Sequence, residues 1–589
     1  MTTKFRFSLP VAGQPVSFWR KLSIAALFFG GMMASSVQAQ WQTVTYTLHG
    51  GWNAIYLHGD ANQAALDTIF PTSSGVVSVW RWNPNPNPIQ LGNSSILPVV
   101  GTPEWSTWTR DPADADTLGA LPGQTAYLVE CSGAVGDTYT VAITQKVLPP
   151  RNTWVRNGAN LLGFPSRLGG NYPIFSNYFA TFPAAIASNS KIYKYVGGPL
   201  GPANPIQVFS PAAERLDRTQ AYWFEAPVVG TFYAPLEISP SNPAGLEYGR
   251  TGSLITVRVR NRTAAAVNLT LAPENSIAAP SGQEQIAGPV ALTYRTFDTS
   301  SASYVYTPVT GSIPVVVGPQ SVVELSFGVD RAQINGAADS FYASLLRITD
   351  GGNLMDVSLP VTARVASFAG LWMGDATVTD VQSFVPGTPG TTTGQSFPLR
   401  VILHVADDGT TRLLSHVFLG KLAATPDQNG LSTLESALRQ DDKANAQRIS
   451  AAHLPPDTVA DASVGSGAVA FGQTLLRTIV LGYNASTNPF GHTYHPDHDN
   501  RNARFDGVLP AGEESPTIER DLSFAFTATP PAGVSPQGWG SSVLGGNYSE
   551  TIRGIRKAKT ADNTPINSVT VSGTFVLRRV SEIGSITTP

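Results

Sequence analysis

Residues 41–240 read as two copies of one unit, and no other feature restricts the fold as much. Copy one carries GWNAIYL at 51–57 and copy two GANLLGF at 158–164, so Gly51 and Asn53 match Gly158 and Asn160. VWRW at 79–82 is answered by IYKY at 192–195. PIQ recurs at 88–90 and 205–207, and QTAYLVE at 124–130 by TQAYWFE at 219–225. Four ordered matches at similar spacing define a repeat of roughly 100 residues. Alternation sets Trp80 and Trp82 on one strand face, and Tyr193 and Tyr195 on the equivalent face of the second copy. ANQAALDTIF and IFSNYFATF predict a short helix in each copy.

The rest of the chain has the same character. The whole sequence holds 55 Gly and 45 Pro in 589 residues and only 13% charged residues, about half the usual share. That balance fits many short strands joined by turns and excludes a charge-rich helical protein. Residues 246–365 predict an immunoglobulin-like β-sandwich. In SLITVRVRNRT, Ile255, Val257 and Val259 point inward and Thr256, Arg258 and Arg260 outward; SVVELSFGVD repeats this with Val323, Leu325 and Phe327. RITDGGNLMDVSL is a hairpin turning at Asp-Gly-Gly. Residues 366–589 predict an antiparallel barrel-like domain. Its opening Gly370-x-Trp372 and its closing GTFVLRR resemble the first and last strands of lipocalin-like barrels, in which a late Arg packs over the early Trp. A hairpin turns at Asp407-Asp408-Gly409, and Ser432 with Glu435 forms a capping box for a helix over LSTLESALRQ.

The fold class is therefore mainly β, as a multi-domain chain. Residues 1–39 are a signal peptide, 40–145 and 146–245 the two β-rich repeats, 246–365 the sandwich and 366–589 the barrel-like domain. The signal peptide rests on Arg20 and Lys21, the apolar run LSIAALFFGGMM, and the small residues Val37 and Ala39 before the expected cleavage. That run is too short for a stable span, and no later stretch reaches 18 apolar residues, so no transmembrane helix is expected. Export leads to a secreted, periplasmic or cell-surface location.

Residues 1–39 carry four bases and no acids, so the net charge of −3 becomes −7 once they are removed. A mildly acidic chain lacks the basic face that nucleic acid requires. Cys131 is the only cysteine, which leaves an exported protein without internal disulfides and dependent on core packing. Cys131 is expected to be buried.

Two groups of residues are candidates for function. Eight of the ten tryptophans after residue 39 fall in 41–240, where flat indoles suit flat sugar faces. The repeated strand aromatics are expected in the core. Trp105 and Trp108, in the unrepeated polar stretch EWSTWTR, are the expected exposed ligand contacts. The second group is NPFGHTYHPDHDNRNARFDG, in a loop over 485–518 that is long enough to be functional. His492, His495, Asp497, His498 and Asp499 suit Zn or another divalent metal by donor chemistry. The same residues also suit a loop tied by its own hydrogen bonds, or a catalytic centre. No zinc-protease helix, EF-hand, nucleophile elbow, phosphate loop or dinucleotide-binding unit is present. Glu513, Glu514 and Glu519 cannot be paired as glycosidase carboxylates by spacing.

The strings GLWMGDATV, FPLRVILH, RISAAHLP and NPFGHTYHPDHDN resemble those of large, uncharacterised secreted β-rich proteins of environmental bacteria, where GWNAIYL and AYWFE repeats accompany them. The resemblance implies export and a multi-domain β architecture, and supplies no activity. The expectation is a non-enzymatic binding or scaffolding protein with polysaccharide as a partner. The alternatives are a metal-dependent hydrolase centred on 492–499 and a subunit of an extracellular fibre or coat.

Overall fold

The computed structural model describes residues 40–83, 103–155, 158–167, 169, 171–385, 388–414, 418–419, 448–449, 464–481, 518–553 and 568–585. The expected signal peptide, the 431–440 helix and the histidine loop lie outside these residues, as do His416 and His453.

The chain begins with β1 (Trp41–His49), β2 (Gly51–Leu57), β3 (Gly59–Asp60), β4 (Val76–Trp82), β5 (Trp105–Thr109), β6 (Thr125–Cys131) and β7 (Thr138–Val147). They make two sheets, ordered β1-β7-β3 and β2-β6-β4-β5. Val44, Tyr46 and Leu48 alternate inward on β1 and meet Ile55, Val79, Tyr127 and Val129 from the second sheet. Cys131 lies buried at its edge, and burial, helped by Glu130, pushes its thiol up to about 12.

Next come β8 (Gly158–Leu162), β9 (Lys191–Lys194), β10 (Ile206–Gln207) and β11 (Tyr222–Ala226), ordered β10-β9-β11-β8. Each strand takes the place of a strand in the four-stranded sheet before it: β8 for β2, β9 for β4, β10 for β5, β11 for β6. The registers agree, with Gly51 opposite Cys131 and Gly158 opposite Ala226. Asn53 accepts a hydrogen bond from His49 N (2.8 Å) and donates to His49 O (2.8 Å). Asn160 accepts from Val155 N (2.7 Å) and donates to Val155 O (3.1 Å). An amide side chain carries both a donor and an acceptor, so one Asn can pin the chain entering each sheet. Short helices α1 (Leu66–Ile69) and α2 (Phe175–Tyr178) occur in the two predicted segments.

The two four-stranded sheets face one another through Trp52, Trp80, Trp105, Leu161, Tyr195 and Trp223. On the other face of the second sheet, Phe224 packs against Trp154, Phe164 and Phe179 in a core continuous with the sandwich.

The sandwich comprises β12 (Leu236–Pro240), β13 (Leu246–Glu247), β14 (Leu254–Asn261), β15 (Val267–Asn275), β16 (Leu292–Asp298), β17 (Ser303–Pro308), β18 (Ile313–Val317), β19 (Val322–Val329), β20 (Phe341–Asp350) and β21 (Asp356–Arg364). Its sheets run β12-β14-β19-β16-β17 and β13-β21-β20-β15-β18. Ile255, Val257 and Val259 are buried while Arg258 and Arg260 are exposed, as period-two alternation requires. β12 lies upstream of residue 246, yet it is hydrogen-bonded into the sandwich, Ile238 opposite Val259. The β20–β21 hairpin turns over 351–355, where Asp350 accepts from Gly352 N and Met355 N.

The last sheet contains β22 (Gly370–Val385), β23 (Thr388–Val405), β24 (Thr411–Leu413), β27 (Val464–Ser466), β28 (Thr474–Leu481), β29 (Ile518–Phe526), β30 (Val543–Arg553) and β31 (Ser568–Ser581); β25 (Phe418–Leu419) and β26 (Arg448–Ile449) pair separately. Its order is β24-β23-β22-β31-β30-β29-β28-β27, an up-and-down meander in which the first strand pairs with the last. Trp372, Leu403, Leu475, Phe524, Phe575 and Leu577 fill one side. Arg477 on β28 donates to Thr411 O on β24 (3.1 Å), drawing the two ends of the sheet together. The architecture is mainly β throughout, with multiple sheets and a barrel-like end.

Candidate functional site

β4 and β5 pair from Ser78 opposite Thr109 to Trp82 opposite Trp105. Trp105 and Trp108 are three residues apart, so they project from opposite faces. Trp105 enters the inter-sheet aromatic cluster, 6.3 Å from Trp80 and 5.2 Å from Trp82 between ring centroids. Trp108 enters the other core against Phe70 (5.9 Å), with the Arg110 guanidinium 5.2 Å from its ring. Their exposures are 7% and 3%. The expectation that they form exposed contacts is corrected here: in this two-layer arrangement both faces of β5 are covered, and the polar letters between them, Ser106 and Thr107, are buried as well.

The front-lobe indole that meets open space is Trp82. It is half-buried at the rim of its strand and makes edge contacts with Trp105 and, at 5.8 Å, Trp223. The neighbouring tryptophans place their N–H groups: Trp80 Nε1 donates to Ser78 Oγ (2.8 Å) and Trp223 Nε1 to Tyr195 Oη (3.1 Å). Trp82 Nε1 has no partner among the described residues. Trp82 lines a cleft of about 440 Å³ between the two four-stranded sheets, together with Arg81, Asn83, Gln124–Ala126, Thr153, Val155 and Ala159–Leu162. That volume falls within the range of small-molecule sites.

The polar groups in this cleft are held in place. Arg81 Nε donates to Asn83 Oδ1 (3.3 Å), and both Arg81 and Asn83 donate to Ser106 Oγ, at 3.4 and 2.9 Å. Gln124 has a left-handed backbone, φ +54°, which is uncommon for any residue but Gly. Its side chain compensates: Nε2 donates to His58 O (2.5 Å), and Oε1 accepts from Arg151 N (3.3 Å) and Tyr56 Oη (3.4 Å). Among the described residues, the lining is an indole, a guanidinium, the amides of Asn83, Gln124 and Asn160, two threonines and small or aliphatic side chains.

Beneath Gln124 lies a buried polar junction. Arg218, 3% exposed, donates from Nη1 to Ser166 O (3.0 Å) and to Asp356 O. It thereby ties the second repeat to the sandwich, where Arg347 forms a fork with Asp356. His58 Nε2 lies 3.0 Å from Arg218 O, and its ring meets Tyr56 edge-on at 4.9 Å. Burial, and then the Arg218 charge, hold the His58 imidazole well below its usual range.

His492, His495, Asp497, His498 and Asp499 lie outside the described residues. Among the described residues, no three His, Cys, Asp or Glu side chains are grouped to hold a metal. His404 is buried, with Nε2 3.2 Å from Ile583 O. Sequence reasoning placed Trp82 with the core aromatics. The available signal was its position as the last strand residue before a Pro/Asn run.

No protein-family model matches the chain, and no curated protein matches its sequence. Among solved structures, the Pseudomonas aeruginosa CupB2 chaperone is 11% identical, over 30% of this chain and 97% of its own, with a TM-score of 0.14. The E. coli chaperone DraB is 12% identical over 30% and 93%, TM-score 0.14. A multidomain protein including DUF1735 from Bacteroides ovatus is 9% identical over 59% and 96%, TM-score 0.13. Similarity this low lends no weight to a shared function.

Proposed function

We propose that this is an exported, non-enzymatic binding and scaffolding protein whose front repeats hold a polysaccharide. The observation that carries the reading is the cleft at Trp82, whose described lining brings together one indole, one guanidinium and several amides. Indole faces suit the apolar faces of sugar rings, and planar amides and guanidinium suit paired hydroxyls. The continuous core between the second repeat and the sandwich supports a scaffolding role, because it holds the cleft on a stiff base. Screening the purified protein on a polysaccharide array tests the reading. Binding that falls at least tenfold in Trp82→Ala and is unchanged in Val135→Ser, an exposed position away from the cleft, is the expected outcome. No binding to any glycan would overturn it.

A further inference from the structure

β17 ends the first sandwich sheet, and among the described residues its backbone bonds only to β16. Its side chains stand in the open as well. Tyr304 is 56% exposed and Val305 41%, and Ser303, Thr307 and Pro308 are exposed too. Opposite Tyr304 stands Phe297 on β16, 55% exposed, with the two ring centroids 5.3 Å apart. The Arg295 guanidinium lies 4.4 Å from the Tyr304 centroid and donates to Ser326 Oγ (3.1 Å), which fixes that ring on the outer face of the sheet. Tyr306, two residues on, donates its hydroxyl to Gln537 Oε1 (3.5 Å).

The ladder also settles which peptide groups of β17 turn outward. Val309 N donates to Leu292 O (2.9 Å), and the register sets Ser303 opposite Asp298. Val309, Thr307, Val305 and Ser303 therefore sit in the bonded pairs of this antiparallel ladder. Tyr304 and Tyr306 alternate with them and direct both N–H and C=O away from β16.

An exposed edge of this kind is a template for another strand. This one reads Ser303-Tyr304-Val305-Tyr306-Thr307, the same in kind from either end. The partner with matching symmetry is the strand itself. We propose that two copies of this chain pair through β17, antiparallel about a two-fold axis at Val305, so that two five-stranded sheets become one. In this register Tyr304 faces the partner's Tyr306, and every outward N–H and C=O of the two tyrosines meets its complement. An axis at Tyr306 would set the Tyr304 carbonyl against the partner's Pro308, which has no N–H. An axis at Tyr304 would run Tyr306 past the end of the strand. No charged side chain lies within the paired stretch, so the symmetry sets no like charges opposite one another. The two Val305 side chains close on one face, and the Tyr304, Tyr306 and Phe297 rings of both copies gather on the other.

An aromatic side chain buries roughly 150–250 Å² when fully covered, so the exposed halves of Phe297 and Tyr304 in two copies offer about 400 Å². A standard specific interface buries about 1,600 Å² in total, so this contact forms reversibly. A two-fold interface closes on itself, which makes the product a dimer rather than a filament. A strand of another protein would meet the same peptide groups, but the symmetry of the sequence favours the chain's own copy. The pairing is independent of the saccharide reading.

Sedimentation velocity of the purified protein at rising concentration tests this. A monomer that passes reversibly into a dimer is expected. Val305→Lys sets two ammonium groups opposite each other and should weaken the dimer at least tenfold, as should Val305→Asp. Mixing the two variants should restore it, because lysine then faces aspartate across the axis, and no other register brings position 305 against itself. Amide hydrogen exchange on the unmutated protein needs no variant to fold: higher concentration should slow exchange at Tyr304 and Tyr306 and leave Val305, already bonded to β16, unchanged. A monomer at every concentration overturns the proposal, as does a dimer that Val305→Lys leaves intact. A mixture of the two variants that stays monomeric overturns the axis at Val305. Protection of Tyr304 and Tyr306 by the peptide acetyl-Thr-Val-Thr-Val-amide, in a protein that stays monomeric, assigns the edge to a foreign strand and overturns the pairing of copies.

Discussion

The Arg579 guanidinium sits 4.7 Å from the centroid of the Trp372 ring, joining the last strand of the barrel-like sheet to the first. Trp372 is fully buried and donates from Nε1 to Phe368 O (2.8 Å), while Arg579 donates from Nη2 to Ser367 O. Each residue thus holds the entry segment as well as the other. Arg579→Met should remove the cation–π contact and one charged hydrogen bond, at a cost of about 2 kcal/mol. Arg579→Lys should recover only part of that, since an ammonium cannot both lie flat on the ring and reach the carbonyl. Denaturant midpoints of the three proteins check the order.

Arg218 is the corresponding fastener at the other end of the molecule. In Arg218→Met the carbonyls of Ser166 and Asp356 lose a buried donor. Buried acceptors left unpaired cost roughly 1–3 kcal/mol each, so a loss of about 2–6 kcal/mol is expected. Asp356 keeps its fork with Arg347, so the variant does not strand a carboxylate. Urea unfolding gives the magnitude, and faster proteolysis between the second repeat and the sandwich would locate it.

The pH dependence near neutrality should come from His58. Its folded form resists protonation because it is buried and faces the Arg218 charge, with the Tyr56 ring edge-on beside it; among the described residues no carboxylate acts on it. The unfolded chain takes up the proton near pH 6.5. The contribution is therefore complete above that value and is lost as pH falls toward the lowered folded pKa, by about 1.4 kcal/mol per pH unit. Asp298, Asp408 and Asp521 are also held low, but their contributions fade only below about pH 4, where free carboxyls protonate. Urea midpoints at pH 7.5 and 5.0 should show a drop in the unmutated protein that His58→Gln reduces. An equal drop in both would assign the effect to other groups.

What could be read from the sequence was what depends on local spacing. Ile255, Val257 and Val259 alternate because a strand does, and Asn53 and Asn160 recur because one amide closes the same turn twice. Gly370-x-Trp372 and the closing GTFVLRR resembled the first and last strands of a barrel, and the sheet pairs those two strands. What could not be read depends on which layer covers which face. Trp105 and Trp108 stand in a polar stretch that suggested exposure, yet a second sheet covers one indole and a first core the other. Trp82 belongs to the same alternating set as Trp80, and only its place at the rim separates the buried ring from the one facing the cleft. The histidine loop, the most conspicuous sequence feature, lies outside the described residues.

The last prediction concerns the charges inside the barrel-like sheet. Arg520 and Glu550 are 2% and 0% exposed and joined by a salt bridge, and Tyr548 donates its hydroxyl to the same carboxylate (2.5 Å). Burial alone would pull the Arg520 guanidinium down; Glu550 outweighs it and holds the guanidinium above its ordinary value. A buried pair of this kind adds little net stability against apolar residues of similar size, but losing one partner leaves an uncompensated charge. Glu550→Gln should therefore cost about 3–5 kcal/mol, whereas Arg520→Met combined with Glu550→Leu should cost markedly less than the two single changes added together. The double-mutant cycle, measured by denaturant unfolding, reads the coupling directly. Additive losses would mean that each side chain is held by other neighbours and that the pair acts as two separate packing residues.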